Sequence, residues 1–292
     1  MIDSRKYSFF RALRPFSFSV ALIASSLGVL IANQEGYHDW LRSSLIIVAA
    51  LLAQATTNLI NDHGDKSYWK RAETETDEVT TQVLAAITRN TRIGILCGVA
   101  ASAIGLWLTI KTDLGLLLLC VLGFLGGFYY TAEPVNYKRR GLGVVLVFWF
   151  TGVLLVLGAY YGMTASLATK VIWLSVPIAI LSSLLLLSNE LRDINEDRQQ
   201  VLQTLTVRLG LGCSRWLYVA LLLSCYLFCG YLAILSLIDQ LYWLLPSLVV
   251  ALFLLRRVRA EDCGGALLPP FTGRFFLVFG IGYLLTVQAA AI

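Results

Sequence analysis

At Asn58-Leu-Ile-Asn61-Asp62-His-Gly-Asp65 a long apolar run of this chain ends in an acidic cluster, and a second run ends likewise at Asn189-Glu-Leu-Arg-Asp193-Ile-Asn-Glu-Asp197. Carboxylates are costly beside the hydrocarbon core of a bilayer, so their position at these two places needs a functional reason. In each cluster the acidic residues are three or four positions apart, which puts them on one face of a helix. Two such faces turned toward each other would form an oxygen-rich pocket for Mg2+, which in proteins usually also binds phosphate oxygens. The two stretches therefore predict a membrane site for a metal-bound diphosphate.

The composition predicts an all-α, multispanning membrane protein. The chain has 292 residues, of which 58% are hydrophobic and only 14% are charged. Apolar runs recur along its whole length, and each is near the roughly 20 residues that a helix needs to cross a bilayer. We count nine predicted spans, at about 15–34, 41–61, 93–111, 114–131, 142–163, 171–189, 214–237, 240–255 and 274–292. Together they form a single membrane-embedded domain over residues 1–292.

The basic residues predict the orientation of these spans, because cytoplasmic loops of membrane proteins are enriched in Lys and Arg. With nine spans and a cytoplasmic N-terminus, the cytoplasmic segments hold 20 of the 23 Lys and Arg residues. Only Arg42, Lys111 and Lys170 fall outside. This bias explains the net charge of +5 without a nucleic-acid partner. The expected location is the cell membrane, with lipid around the chain and the C-terminus outside.

The two acidic clusters occupy matched positions. One follows the second span and the other follows the sixth, and both fall on the cytoplasmic side. Spans 1–4 and 5–8 therefore resemble two related halves that each carry one cluster. This arrangement predicts one pocket at the interface of the halves.

Basic side chains accompany the acids. Arg192 and Arg198 flank Asp193 and Asp197, and a guanidinium can bind phosphate oxygens through two parallel hydrogen bonds. The segment 129–143 lies on the same side of the membrane and supplies further candidates for a diphosphate contact: Tyr130, Lys138 and Arg140. The plain alternative for all of these side chains is a set of solvated loop charges.

Several of these stretches resemble a known family. Asn58-x-x-Asn61-Asp62-x-x-Asp65 is similar to the first aspartate motif of UbiA-type intramembrane prenyltransferases. The resemblance covers nearly the whole chain, including the nine spans. Four further stretches resemble the menaquinone branch, the 1,4-dihydroxy-2-naphthoate prenyltransferases: Tyr137–Gly143, Gly158–Tyr161, Asn189–Arg198 and Thr204–Gly210.

The resemblance implies a Mg2+-dependent reaction of quinone biosynthesis. An isoprenyl diphosphate would ionise to an allylic carbocation, and the electron-rich ring of an aromatic acceptor would attack it. The implied Mg2+ ligands are Asn61, Asp62, Asp65, Asp193 and Asp197, and the four aspartates among them are the implied catalytic residues. The residues implied to contact the diphosphate are Asn58, Tyr130, Lys138, Arg140, Asn189, Arg192 and Arg198.

The sequence departs from this branch near the expected acceptor. Trp69 stands where the family often has another Asp, and Val144 where the branch usually has an acid. Val201-Leu202 replaces a Gly-Lys pair. The acceptor is therefore less well specified than the diphosphate chemistry.

Two other functions fit parts of the pattern. A UbiA-like terpene cyclase would ionise the same prenyl diphosphate and use no acceptor. A membrane transporter or lipid carrier would also show repeats and polar groups within its spans, although such groups usually lie near the midplane rather than at one face.

The predicted orientation can be tested by cysteine labelling. A cysteine placed at Ile292 should react from the outside, and one placed beside Asp193 should react from the cytoplasmic side, because three predicted spans lie between the two sites. Labelling of both sites from the same side would show that the span count is wrong.

Overall fold

The computed structural model describes residues 4–66, 69, 78–259 and 265–290, except for the side chains of Ser4, Arg5 and Asp65. In these residues every regular segment is helical, and nine helices are apolar membrane spans or candidates for one. They are α1 (Phe18–Gln34), α2 (Trp40–Asn61), α3 (Glu78–Lys111), α4 (Leu114–Phe128), α5 (Gly143–Thr164), α6 (Thr169–Gln199), α7 (Leu205–Ile234), α8 (Leu245–Arg259) and α9 (Leu268–Ala289). Eight of these helices, with their flanking turns, are long and apolar enough to cross a membrane, and α4 is a shorter apolar helix. The prediction of an all-α multispanning protein is confirmed.

The ends of the helices differ from the predicted spans where polar residues continue the helix. The third predicted span begins at about residue 93, yet α3 begins at Glu78. The sixth ends at about residue 189, yet α6 continues to Gln199. Hydropathy marks only the part of a helix inside the bilayer, whereas backbone hydrogen bonding continues beyond it. The second acidic cluster therefore lies within the last turns of α6 rather than after the helix.

Local signals fix several boundaries. The Asp39 side chain caps α2 by accepting a hydrogen bond from the backbone N–H of Arg42 at 3.0 Å, and Asp113 caps α4 in the same way. α7 is kinked at Gly210, whose φ of 75° is unfavourable for residues with a side chain. The predicted cytoplasmic Lys70 and Arg71, and Ile292, lie outside the described residues.

The buried core is centred on α6. This helix packs against α1, α5, α7 and α9, and most of its apolar side chains are buried. α5 approaches α6 closely because Gly152 faces Ala179, where an added Cβ would lie 2.3 Å from the Ala179 Cα. On the outward faces, apolar side chains such as Leu227 and Ile234 are exposed, as expected for helices that contact lipid.

A polar cluster joins α1, α5 and α6 at the end of the bundle opposite the acidic clusters. The Tyr160 hydroxyl donates to Glu35, and the Lys170 ammonium lies 3.0 Å from the other carboxylate oxygen of Glu35. Partial burial alone would raise the pKa of Glu35, but the hydrogen bonds from Tyr160 and Lys170 and the Lys170 charge together hold that pKa below its usual value. The carboxylate therefore stabilises the folded protein in its charged form.

Glu35→Gln should lower the stability of the folded protein at neutral pH by about 1 kcal/mol, because a hydrogen-bonded charge pair is lost. The native pKa of Glu35 is depressed, so its contribution is present above the unfolded-state pKa and disappears as pH falls through the native value. Thermal unfolding in nanodiscs at about pH 7 and about pH 4 would show a melting-temperature difference from wild type that shrinks at the lower pH. An exposed loop variant, Glu133→Gln, serves as control, and an equal difference at both pH values would contradict this account.

Candidate functional site

The first acidic cluster is held by an arginine from the N-terminal segment, residues 4–17, which precedes α1. α2 ends at Asn61, and a tight turn follows over Asp62–Asp65. Asp62 is only 3% exposed, and its Oδ1 accepts a hydrogen bond from Arg14 Nη2 at 3.2 Å. With its amide oxygen turned toward the guanidinium, Asn61 accepts from the same Nη2 at 2.8 Å. The side chain of Asp65 lies outside the described part of the chain.

Arg14 has an unusual backbone conformation. Its φ of 51° and ψ of 65° lie in the left-handed region, which a residue with a side chain enters at a cost of about 1 kcal/mol. The bonds to Asn61 and Asp62 offset this strain. Arg14 was not among the predicted site residues, although the Arg14-Pro15 pair stands at the start of the first apolar run.

Asn58 fixes the segment that carries Arg14. Its buried amide nitrogen donates to the Leu13 carbonyl and to the Ser17 hydroxyl, both at 2.7 Å. Its oxygen accepts from Gln54 Nε2 at 3.1 Å. These bonds hold the N-terminal segment against α2, so Asn58 positions the segment that carries Arg14. The contact between Asn58 and a diphosphate stays a prediction.

The second cluster lies in the last turns of α6, with two of its acids one helical turn apart. Asp193 receives two hydrogen bonds from Arg192, at 2.6 and 2.7 Å. Asp197 is 6% exposed and accepts from the Thr204 hydroxyl at 3.1 Å. Arg198, a predicted diphosphate contact, is exposed on the same helix end.

The connection between α4 and α5 brings Tyr130 and Lys138 to the site. The Lys138 backbone N–H donates to the Tyr130 carbonyl at 3.1 Å, and the rings of Tyr130 and Tyr137 meet edge to face at 5.3 Å. Burial raises the pKa of the Tyr130 hydroxyl, the charge of Glu190 raises it further, and Arg14 opposes the rise. Tyr130 therefore lies within electrostatic range of the second cluster and of Arg14, which pairs with Asp62 of the first.

Charges from separate elements converge on this end of the bundle. Arg14 acts electrostatically on Asp193 as well as pairing with Asp62. Lys138 acts on Glu190 and Asp197. The structure thus brings the two clusters together with two of the cations around them. Arg140 is different, because it is exposed and donates to the Pro134 carbonyl of its own loop at 2.8 Å.

The donor atoms suit a hard divalent cation. All the predicted metal ligands offer carboxylate or amide oxygens, which Mg2+ prefers. Two further buried oxygens, Asn189 Oδ1 and Glu190 Oε1, have no hydrogen-bond partner among the described residues. Within those same residues no three acidic, His or Cys side chains already form a metal-binding group. The carboxylates Asp62 and Asp193 instead pair with arginines, so a bound cation would replace or join those arginines.

The three departures noted in the sequence have distinct structural places. Trp69 is buried against Val83 and Ile87 of α3, and its ring N–H donates to the Tyr7 hydroxyl at 3.0 Å. It therefore anchors the N-terminal segment. Val144 is buried at the start of α5, and its carbonyl accepts from the Ser183 hydroxyl at 2.8 Å.

Leu202 lies just beyond α6, where its backbone N–H donates to the Asp197 carbonyl at 2.8 Å. Together with Thr204 this connection holds the end of α6 against the start of α7. The apolar Leu202 side chain is partly buried beside the second cluster.

The fold places two acidic clusters and several cations at one end of a bundle of membrane spans, and this set of groups suits a metal-bound diphosphate. Residues 21–264 match the UbiA prenyltransferase family. The chain belongs to this family and is a multispanning membrane prenyltransferase.

Curated relatives and solved structures agree with this assignment. The chain is 28% identical over 239 residues to 1,4-dihydroxy-2-naphthoate octaprenyltransferase from Escherichia coli (strain K12). The aligned region covers 76% of this chain and 74% of that protein. It is 30% identical over 252 residues to the protein of the same name from Mycobacterium leprae (strain TN), with 83% of each covered. The fold is similar to that of a UbiA homologue from Archaeoglobus fulgidus bound to DMAPP and Mg2+. The TM-score is 0.63 at 15% identity, with 95% of this chain and 99% of that chain covered.

Proposed function

We propose that this protein transfers an isoprenyl group from a prenyl diphosphate to an aromatic or quinone-precursor acceptor within the cell membrane, and that the reaction requires Mg2+. The observation that carries the proposal is the meeting of two acidic helix ends around Arg14. Its guanidinium bonds Asn61 and Asp62 and acts electrostatically on Asp193. The prenyl diphosphate and Mg2+ in the related Archaeoglobus structure support the same chemistry. The names of the bacterial relatives support an acceptor that resembles 1,4-dihydroxy-2-naphthoate.

The residues proposed to hold Mg2+ are Asn61, Asp62 and Asp65 from the first cluster and Asp193 and Asp197 from the second. When bound, Mg2+ would neutralise charge on the diphosphate and so favour its departure. Asp62 and Asp197 are buried. Their electrostatic interactions are therefore stronger than they would be in water.

Cationic and hydroxyl groups of the chain are proposed to bind the diphosphate. Arg192 is preorganised by its paired bonds to Asp193, and Lys138 approaches from the α4–α5 connection. We add Arg14 to the predicted set of Asn58, Tyr130, Lys138, Arg140, Asn189, Arg192 and Arg198. Groups fixed before the reaction stabilise the leaving diphosphate without having to reorganise.

The reaction then needs little covalent chemistry from the protein. The C–O bond of the prenyl diphosphate breaks, and its electron pair leaves on the diphosphate. A pair of π electrons from the acceptor ring forms the new C–C bond, and the displaced ring proton is lost. The protein positions the two substrates and excludes water, which would otherwise capture the carbocation.

The carboxylates should be essential for turnover. Asp65→Ala and Asp193→Ala should each reduce prenyl transfer by at least about 100-fold, and chelation of Mg2+ should do the same, because the diphosphate charge is then not neutralised. Turnover would be measured as diphosphate release by purified protein in nanodiscs. Asp239→Asn, at the opposite end of the bundle, is the matched control. Near-normal activity of a folded Asp193→Ala variant without Mg2+ would contradict the metal role.

The acceptor should differ from 1,4-dihydroxy-2-naphthoate or be less polar, because Trp69, Val144 and Leu202 replace polar residues of that branch. Burial of the naphthoate carboxylate without a hydrogen-bonding or charged partner would cost binding free energy. Turnover with 1,4-dihydroxy-2-naphthoate would be compared with a panel of phenols and quinols, and with no acceptor. Clear preference for the naphthoate would contradict this expectation and leave the plain menaquinone-branch activity. Diphosphate release without an acceptor would instead indicate a cyclase or a hydrolase, and no release under any condition would favour a transporter or lipid carrier.

A further inference from the structure

Glu190 is a buried acid of α6 that the diphosphate chemistry does not use. It lies one turn before Asp193 and is only 5% exposed. Its Oε2 accepts a hydrogen bond from the backbone N–H of Thr206 at 3.1 Å, in the first turn of α7. The Thr206 hydroxyl also bonds to the Glu190 backbone carbonyl at 3.3 Å. These bonds fix the carboxylate and join the start of α7 to α6.

The other carboxylate oxygen has a different environment. Oε1 is buried and has no hydrogen-bond partner in the part of the chain that the structure describes. A buried acceptor that stays unsatisfied costs roughly 1–3 kcal/mol, and more when it is charged. Buried oxygens of this kind are uncommon and call for a specific explanation, such as a catalytic or binding role.

A gap beside this oxygen is kept open by a glycine. A Cβ added to Gly143 would lie 3.4 Å from Glu190 Oε1 and 3.5 Å from Cε2 of the Tyr130 ring. Leu186 Cδ2 would lie 3.3 Å from the same Cβ, so the absent side chain leaves space about the size of a methyl group between a carboxylate oxygen, an aromatic ring and Leu186. Tyr130 is also within electrostatic range of Arg14, so this space adjoins the proposed diphosphate site. The charged groups that act on Glu190 are Lys138 and Asp197.

We propose that Glu190 determines the acceptor class: its Oε1 accepts a hydrogen bond from a ring hydroxyl of the aromatic acceptor. This inference rests on the proposed prenyl transfer and identifies the chemistry of its second substrate. A hydroxyl supplies the donor that Oε1 lacks, and an aromatic ring can pack against Tyr130. The same carboxylate repels an acceptor carboxylate, so a phenol or hydroquinone without an acid group fits the site best. A hydrogen bond to the carboxylate also increases the electron density of the ring that attacks the carbocation.

Glu190→Gln tests the contact directly. The amide oxygen of Gln can still accept from the Thr206 N–H, while its NH2 group places a donor where Oε1 was an acceptor. We would measure kcat/KM for the best hydroxylated acceptor of the panel and for its methyl ether, with the same prenyl diphosphate. The value for the hydroxylated acceptor should fall roughly 10- to 100-fold, whereas the value for the ether should change little. The KM for the prenyl diphosphate and the Mg2+ concentration for half-maximal rate should stay the same.

Two further variants separate this role from a structural one. Gly143→Ala would place a methyl group in the gap at 3.4 Å from Glu190 Oε1 and 3.5 Å from the Tyr130 ring. The Leu186 side chain, 3.3 Å away, has only to shift by a few tenths of an ångström, so the protein should fold and the KM of the acceptor should rise. Glu196→Gln is the matched control on the same helix, because Glu196 is half-exposed and 3.9 Å from the Lys6 ammonium. It should leave the kcat/KM values of both acceptors, the KM for the prenyl diphosphate and the Mg2+ requirement unchanged.

Several results would overturn the inference. Equal losses for the hydroxylated acceptor and its ether in Glu190→Gln would show that Oε1 does not contact the hydroxyl. A shift in the Mg2+ requirement would place Glu190 at the metal instead. An unchanged acceptor KM in Gly143→Ala would show that the gap is not the acceptor site. Failure of the wild-type protein to transfer to any acceptor would overturn the proposed function itself, and with it this inference.

Discussion

The site depends on the neutralisation of carboxylates that lie at the edge of a bilayer. Asp62 and Asp197 are almost completely buried, and a lone buried charge would shift to its neutral form or destabilise the fold. Arg14 compensates the first of these acids, and the Thr204 hydroxyl bonds the second. Because Arg14 also acts on Asp193, it joins the two clusters electrostatically. A divalent cation could therefore take over part of the neutralisation that the arginines now supply to these carboxylates.

The rest of the fold serves to place these groups. α6 runs through the core and carries the second cluster at one end, while Glu35, Tyr160 and Lys170 tie the opposite end of the bundle. The N-terminal segment that carries Arg14 is held by Asn58 on α2. Earlier in the same segment, Tyr7 packs on Trp69, and the Tyr7 carbonyl accepts from Asn90 of α3 at 2.9 Å. These contacts explain how a residue far from both clusters in sequence reaches them.

The sequence predicted the parts of this structure that depend on local pattern. Apolar runs of spanning length indicated the helices, and the spacing of Asp193 and Asp197 indicated one helical face. It could not predict the pairing of Arg14 with Asp62, because residues 48 positions apart meet only through the packing of the N-terminal segment. Hydropathy alone ended the sixth span at about residue 189, because it marks only the apolar part of α6, whereas the spacing of the acids correctly indicated that the helix continues through Asp197.

Glu190 and Trp69 show the same limit of prediction from local sequence. Asn189 was a predicted diphosphate contact and Glu190 was not among the predicted site residues, although Glu190 also has an unsatisfied buried oxygen and, in addition, a fixed partner in Thr206. Trp69 was recognised only as a departure from a family pattern, and its partner Tyr7 is 62 positions away. Long-range partners of this kind come from tertiary packing, which no local pattern encodes.

Both acidic clusters are proposed to bind one diphosphate through Mg2+. The most direct measurement is the thermal stabilisation of the wild-type protein and of Asp193→Asn by an unreactive prenyl thiolodiphosphate, with and without Mg2+. Because a ligand stabilises a protein only when it binds the folded state, the shift in melting temperature reports binding without turnover. If both clusters bind the diphosphate through Mg2+, the melting temperature of the wild-type protein rises only when Mg2+ is present, and most of that rise is lost in Asp193→Asn. An equal shift without Mg2+, or an undiminished shift in Asp193→Asn, would contradict this binding mode.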